Sequence, residues 1–217
     1  SLLVIITTML CCFHVAGLKA TLAIESLPCV ASAVAEHCIT RERQEKAINV
    51  ILTLQNTDGG WATYENTRGF GWYEALNPSE VFGDIMIDYC YVECSCASMG
   101  ALAAFHAKYP EYRTREVQAA MNRGRQFLLS IQRQDGSWYG SWACCLTYGT
   151  WFGIEGLMMV GEKPESDPVM RACEFLLSKQ NANGGWGEDF TSCYNRSYAP
   201  KGMEDYGVNG SGVVPTG

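Results

Sequence analysis

Arg123-Gly-Arg-Gln-Phe-Leu-Leu-Ser-Ile-Gln132-Arg-Gln-Asp-Gly-Ser-Trp138 decides the fold, because the chain carries the same phrase twice more. The first copy is Lys46-Ala-Ile-Asn-Val-Ile-Leu-Thr-Leu-Gln55-Asn-Thr-Asp-Gly-Gly-Trp61. The third is Arg171-Ala-Cys-Glu-Phe-Leu-Leu-Ser-Lys-Gln180-Asn-Ala-Asn-Gly-Gly-Trp186. Each is an apolar helical stretch, a glutamine, a turn of Asp or Asn with Gly, and a tryptophan. Phe127, Leu128 and Ile131 lie at helical spacing, as do Phe175, Leu176 and the stem of Lys179. The Asp-Gly or Asn-Gly step ends each helix. The glutamine is expected in the last helical turn, where its amide binds exposed carbonyls at that helix end. The tryptophan lies beyond the turn; its indole is expected to stack on the amide, and its N–H needs a partner if buried. The phrase therefore reads as a clamp tying one helix end to the next. A repeat of this kind means stacked equivalent units.

Working outward, Gly17 to Leu27 reads as a helix and Pro28 to Ile39 is ambiguous. Thr40 is a fair N-cap for a helix running to Gln55. Asp58 to Gly83 is a long irregular segment, rich in aromatics, of the kind that is functional or packed by its own side chains. Tyr91 to Lys108 reads as a helix that Pro110 ends. Thr114 or Arg115 opens the next. Thr147 to Gly161 is a helix, Pro164 to Pro168 a loop, and Val169 to Gln180 the third repeat helix. No alternating strand pattern appears. The fold class is all-α: an α/α toroid of helix pairs with Gln-Trp repeats, incomplete in this chain, its inner helices lining a central space.

Composition narrows the function. A net charge of −7 leaves no basic stripe for phosphate, which argues against nucleic acid as a partner. Eleven cysteines are spread through helix-like stretches without paired framework spacing, so buried, reduced thiols are expected rather than a disulfide scaffold. Zinc is disfavoured: Cys11-Cys12 and Cys144-Cys145 are adjacent, Cys94-Ser-Cys96 lacks a second pair, and the three histidines are scattered. Leu2 to Phe13 is too short to span a bilayer and lacks a basic n-region. Gly202 to Gly217 is Gly-rich without helical period, and both ends read as cut.

Two longer stretches are distinctive. They are Asn77-Pro-Ser-Glu-Val-Phe-Gly-Asp-Ile-Met-Ile-Asp-Tyr-Cys-Tyr-Val-Glu-Cys94 and Asp135-Gly-Ser-Trp-Tyr-Gly-Ser-Trp-Ala-Cys-Cys-Leu-Thr-Tyr-Gly-Thr-Trp-Phe-Gly153. With the three repeats they resemble the oxidosqualene cyclases, the family of lanosterol, cycloartenol and plant triterpene synthases. The resemblance runs from about Gly17 to Gly217, roughly a third of a family member, and implies part of the catalytic α/α barrel. It also implies cyclisation of 2,3-oxidosqualene to a polycyclic triterpenol by proton-initiated carbocation chemistry, with no metal or organic cofactor. The parent enzyme is then monotopic on the endoplasmic reticulum or lipid-droplet membrane. The residue types suit that chemistry, since each aromatic face holds a desolvated cation by roughly 0.5–2 kcal/mol and excludes water that would quench it.

The resemblance implies roles for particular residues. Tyr64 of Ala-Thr-Tyr-Glu faces the cavity. Cys94 of Tyr-Val-Glu-Cys hydrogen-bonds the catalytic acid and supports it. Trp142 of Gly-Ser-Trp is a cavity aromatic, and Tyr148 of Thr-Tyr-Gly-Thr-Trp lies nearby. Read without the resemblance, Tyr64 is a loop-packing aromatic, Cys94 a core thiol and Trp142 a core aromatic. One departure is large. The family's acid is the Asp of an Asp-Cys-Thr-Ala-Glu motif just before Gly-Leu-Lys, and counting back from Gly17-Leu-Lys19 puts Cys12 at its position. A thiol with a reference pKa near 8.5 cannot usefully protonate an epoxide. Residues 1–16 are accordingly expected to be non-family or mispredicted sequence, with 17–217 the partial catalytic domain. The isolated chain is expected to be inactive. Three alternatives stay open: a zinc-dependent prenyltransferase subunit, which lacks its ligand set here; a bacterial squalene cyclase, whose Asp-rich motif is absent; and a non-catalytic lipid- or sugar-binding module.

Overall fold

The computed structural model describes residues 40–79, 84–141 and 145–200. Thr40 caps the first helix, α1 (Arg41–Thr53), accepting from the Arg43 N–H at 3.4 Å. The irregular segment after it contains one short 3₁₀ turn, Gly71–Leu76. There Trp72 packs edge-on against Tyr73 at 4.5 Å, and Phe70 does so at 6.0 Å. Five more helices follow: α2 (Val92–Lys108), α3 (Thr114–Ile131), α4 (Cys145–Met159), α5 (Asp167–Lys179) and the short α6 (Thr191–Asn195). The helix expected at Gly17–Leu27 lies outside the described residues. Among the described residues there is no strand, only three isolated bridges.

The pattern of burial separates two layers. From Val92 to Leu102 every residue of α2 is buried, Glu93 and two serines included. Such a helix has neighbours on all sides, and α2 packs against α1, α3 and α4. Helix α4 is similarly apolar and packs against α2, α3, α5 and α6. In contrast, α3 and α5 bury one stripe each: Val117, Ala120, Gly124, Phe127 and Leu128 on α3, and Val169, Ala172 and Phe175 on α5. The all-α reading therefore holds, with α2 and α4 as the inner layer and α1, α3 and α5 as the outer layer of a partial α/α toroid. Helix α5 begins two residues earlier than the sequence predicts, because Pro168 sits in its first turn, where its missing N–H costs nothing.

The clamps are built from hydrogen bonds, nearly identical in each copy. The indole N–H of Trp61 donates to Ile51 O at 2.7 Å, that of Trp138 to Leu128 O at 2.7 Å, and that of Trp186 to Leu176 O at 2.8 Å. Each thus ties back ten residues to its own helix. The backbone N–H of Trp61 donates to Ser95 Oγ on α2, and that of Trp138 to Thr150 Oγ1 on α4, at 3.0 and 3.1 Å. Outer helix, turn and inner helix are thereby fixed together. Trp61 and Trp138 are fully buried. Gly153 permits this at Trp138, since a Cβ there would lie 2.3 Å from the indole.

The glutamines correct the sequence reading. Gln132 and Gln180 sit one residue past their helices, in extended backbone. That conformation turns the amide away from the helix just ended. Gln55 Nε2 instead donates to Gly59 O and to Ala120 O of α3. Gln132 Nε2 donates to Gly136 O and to Pro168 O of α5. The oxygen is used as well: Arg123 donates to Gln55 Oε1, and Arg171 to Gln132 Oε1 at 2.6 Å. The basic residue opening each later copy is therefore the plug for the socket of the copy before. Gly59 and Gly136 complete the socket, at φ 95° and 87°. A Cβ on them would lie 2.5 and 2.4 Å from the carbonyl oxygens of Arg123 and Arg171.

Candidate functional site

The inner helices start close together, Glu93 at the start of α2 accepting from the Ser141 N–H just ahead of α4, and two of the candidate residues sit at those starts. Cys94 lies in the first turn of α2 and Tyr148 in the first turn of α4. The Thr63–Glu65 turn lies against α2, because Tyr91 N–H donates to Trp61 O at 3.1 Å and Thr63 Oγ1 meets Cys94 Sγ at 3.6 Å. Thr63, the neighbour of Tyr64, is thus held at the start of α2, and α4, which carries Tyr148, packs against α2. Trp142 and Cys12 lie outside the described residues.

Their environments differ. Tyr64 is exposed, whereas Cys94 is buried. Burial pushes the Cys94 thiol up to about 11, and the nearby Glu93 and Asp88 add to this. Tyr148 is pushed up to about 12, first by burial and then by Glu93, Cys94 and Cys96. Its ring packs edge-on against Phe152 at 4.7 Å and tilts toward Trp151 at 6.2 Å. At neutral pH neither the Cys94 thiol nor the Tyr148 phenol is ionised. This part of the wall offers aromatic faces and neutral hydrogen-bonding groups, with no thiolate or phenolate to attack a cation.

Three carboxylates that sequence reasoning missed anchor this region through backbone N–H groups. Asp88 accepts from the N–H groups of Thr63, Tyr64 and Glu65. Glu188 accepts from those of Leu146 and Thr147 at 2.9 and 2.7 Å, at the positive N-terminal end of α4. Glu93, 6 % exposed, accepts from the Ser141 N–H at 2.8 Å, one residue before Trp142. Its Oε2 is buried without a partner, and burial pushes its carboxyl up to about 7. The sequence signal for Asp88 was present, since the residue ends the Gly-Asp-Ile-Met-Ile-Asp run, but its donors lie more than twenty positions upstream.

Among the described residues no cluster of three His, Cys, Asp or Glu side chains is arranged to hold a metal ion. The described cysteines are free thiols. No described helix is long and apolar enough to cross a membrane.

Comparison with known proteins bears on the same residues. The Squalene-hopene cyclase C-terminal domain family matches residues 20–207. The chain is 52% identical over 186 residues to the lanosterol synthase of Mus musculus, covering 84% of this chain and 25% of that protein. It is 54% identical over 169 residues to the lanosterol synthase of Homo sapiens, covering 76% of this chain and 23% of that protein. The cycloartenol synthase of Dictyostelium discoideum is 54% identical over 183 residues, covering 84% of this chain and 25% of that protein. The chain thus spans about a quarter of the length of the curated relatives it matches. Three clamps, an inner layer of two buried helices and a match over residues 20–207 lead to one conclusion: the chain belongs to the terpene cyclase family of the Squalene-hopene cyclase C-terminal domain.

Proposed function

We propose that this chain is one wall of the catalytic barrel of an oxidosqualene cyclase, whose complete form converts 2,3-oxidosqualene to a sterol precursor or triterpenol. The supporting observation is that Cys94 and Tyr148 lie in the first turns of two inner helices packed on each other, while Thr63, the neighbour of Tyr64, touches Cys94 Sγ. Tyr64, Trp142 and Tyr148 line the cavity and hold developing positive charge by their ring faces. Cys94 stays a neutral thiol and hydrogen-bonds the acid that protonates the epoxide. Residues 17–217 form the partial catalytic domain, and the parent enzyme sits on the endoplasmic reticulum or lipid-droplet membrane without a cofactor. The isolated chain is inactive, because Cys12 stands at the acid's position and the remaining cavity wall is not supplied by these residues.

The test is a chimera: the lanosterol synthase of Saccharomyces cerevisiae in which the residues aligned with 40–200 of this chain are exchanged for residues 40–200. That enzyme keeps its own acid. The chimera is expected to cyclise labelled 2,3-oxidosqualene, while the isolated chain gives no product above a no-protein control. A folded chimera that makes no triterpenol overturns the reading. The Cys12 alignment favours one second reading, a non-catalytic copy that acts at most as a lipid-binding or interaction module. Transcript sequence across the first twenty codons separates the two: an in-frame upstream exon encoding the missing Asp supports the enzyme.

A further inference from the structure

The irregular segment that carries Tyr64 has little regular structure to fix it. From Ala62 to Phe70 it has no helix or strand, and Tyr64 is 66 % exposed. Asn56 Oδ1 accepts from the Thr67 N–H at 2.9 Å, and Asp88 grips three consecutive residues of the segment's backbone. Asp88 Oδ1 accepts from the Thr63 N–H at 2.9 Å, and Oδ2 accepts from the Tyr64 N–H at 2.6 Å and the Glu65 N–H at 3.0 Å. The Asp88 carbonyl also accepts from Thr67 Oγ1 at 2.7 Å. Thr63, the first residue held, carries the hydroxyl that touches Cys94 Sγ at 3.6 Å.

We propose that Asp88 is a positioning residue for the cyclisation, one carboxylate that sets the Tyr64 ring and, through Thr63, the Cys94 thiol in a common frame. This rests on the cyclase reading above. The chemistry requires a carboxylate here. Three N–H groups need acceptors, and an ionised carboxylate offers acceptor sites only, in short charge-assisted bonds. An amide presents an NH₂ toward N–H groups that cannot accept it, and Ala leaves all three N–H groups without this acceptor. Glu, one methylene longer, displaces both oxygens from a turn fitted to Asp. Asp88 does not reach substrate itself; it acts through the backbone of residues that do. Small displacements matter in this role, because misplacing a cation-stabilising face by about 1 Å costs on the order of a hundredfold in rate.

The first measurement uses the chain as it is. Amide hydrogen exchange of the unmodified protein is expected to show Thr63, Tyr64 and Glu65 protected although they lie in an exposed, irregular segment. Asp88→Asn is expected to raise exchange at those three amides by about tenfold or more, and to speed alkylation of Cys94 by iodoacetamide, while α3 exchanges as before. Unprotected amides at 63–65 in the unmodified chain overturn the proposal whether or not the variant folds. The second measurement uses the yeast chimera. There Asp88→Asn is expected to lower kcat about tenfold or more with KM within about twofold, and to release incompletely cyclised triterpenols. An unchanged product spectrum and rate reduce Asp88 to a turn anchor and overturn the positioning role. A chimera inactive before any substitution overturns the cyclase reading instead, and the exchange measurement then decides the grip of Asp88 by itself.

Discussion

Replacing Glu93 by Gln tests how the wall is built, because the expected effect is pH-dependent and its sign follows from one environment. The carboxyl is 6 % exposed, and its Oε2 has no partner. Burial raises its pKa from 4.5 to about 7, only partly offset by the N–H bonds from its own backbone and Ser141. A raised carboxyl means the folded chain holds the proton more tightly than the unfolded chain. Below pH 4.5 both states are protonated and the site is neutral with respect to folding. Between pH 4.5 and 7 the unfolded chain releases its proton while the folded chain keeps it, so stability falls as pH rises. Above pH 7 both are ionised and the penalty is constant, at about 3 kcal/mol for a shift of this size. Glu93→Gln keeps a carbonyl to accept from the Ser141 N–H and removes the ionisation. Its buried amide carries a cost of about 1–2 kcal/mol, but that cost does not vary with pH. Urea unfolding followed by far-UV circular dichroism gives the comparison. From pH 5 to pH 8.5 the unmodified chain is expected to lose about 2–3 kcal/mol relative to the variant. Parallel stability profiles for the two proteins refute the assignment of a neutral, buried acid.

The repeats make further predictions. Gly136→Ala is expected to destabilise by about 3 kcal/mol or more, since the new methyl meets Arg171 O at 2.4 Å in a left-handed turn. Gly184→Ala, at φ 86° with nothing within 4 Å, is expected to cost only the backbone strain of about 1–2 kcal/mol in the same urea assay. Trp138→Ala is expected to cost about 3–5 kcal/mol, and Trp138→Phe less, the smaller loss including the N–H bond to Leu128 O. Alkylation of Cys94 is expected to be slow at pH 7 and to accelerate toward pH 11 in the native chain, followed by mass spectrometry of the tryptic peptide.

The outer helices and their turns were legible because they repeat. A phrase met three times fixes its own boundaries: α3 and α5 end just before their glutamines, and α1 two residues before Gln55. Pro110 and Thr114 bracket the α2–α3 turn, and Arg113 at φ 45° completes it. What the sequence could not display was the partner of each polar group. The sequence shows Arg123 and Arg171 only as basic residues opening a repeat, yet each plugs the glutamine of the preceding repeat. A sequence suggests local bonds, which put the glutamine on its own helix end. Besides the turn carbonyls of Gly59 and Gly136, its acceptors are Ala120 and Pro168, 65 and 36 residues away.

The site was legible in its residue types and hidden in its supports. Cys94 and Tyr148 sit where a helix start would put them. Asp88, Glu93 and Glu188 were passed over because acids in a mostly apolar neighbourhood are identified by what they accept from. Those donors, at 63–65, 141 and 146–147, come from other segments of the chain.

The claim that Tyr64, Cys94 and Tyr148 face one reaction cavity is tested most directly by photolabelling. A diazirine-bearing analogue of 2,3-oxidosqualene, bound to the yeast chimera and photolysed, is expected to mark peptides containing Tyr64, Cys94 and Tyr148. Label confined to the solvent-facing sides of α1, α3 and α5 would contradict the account.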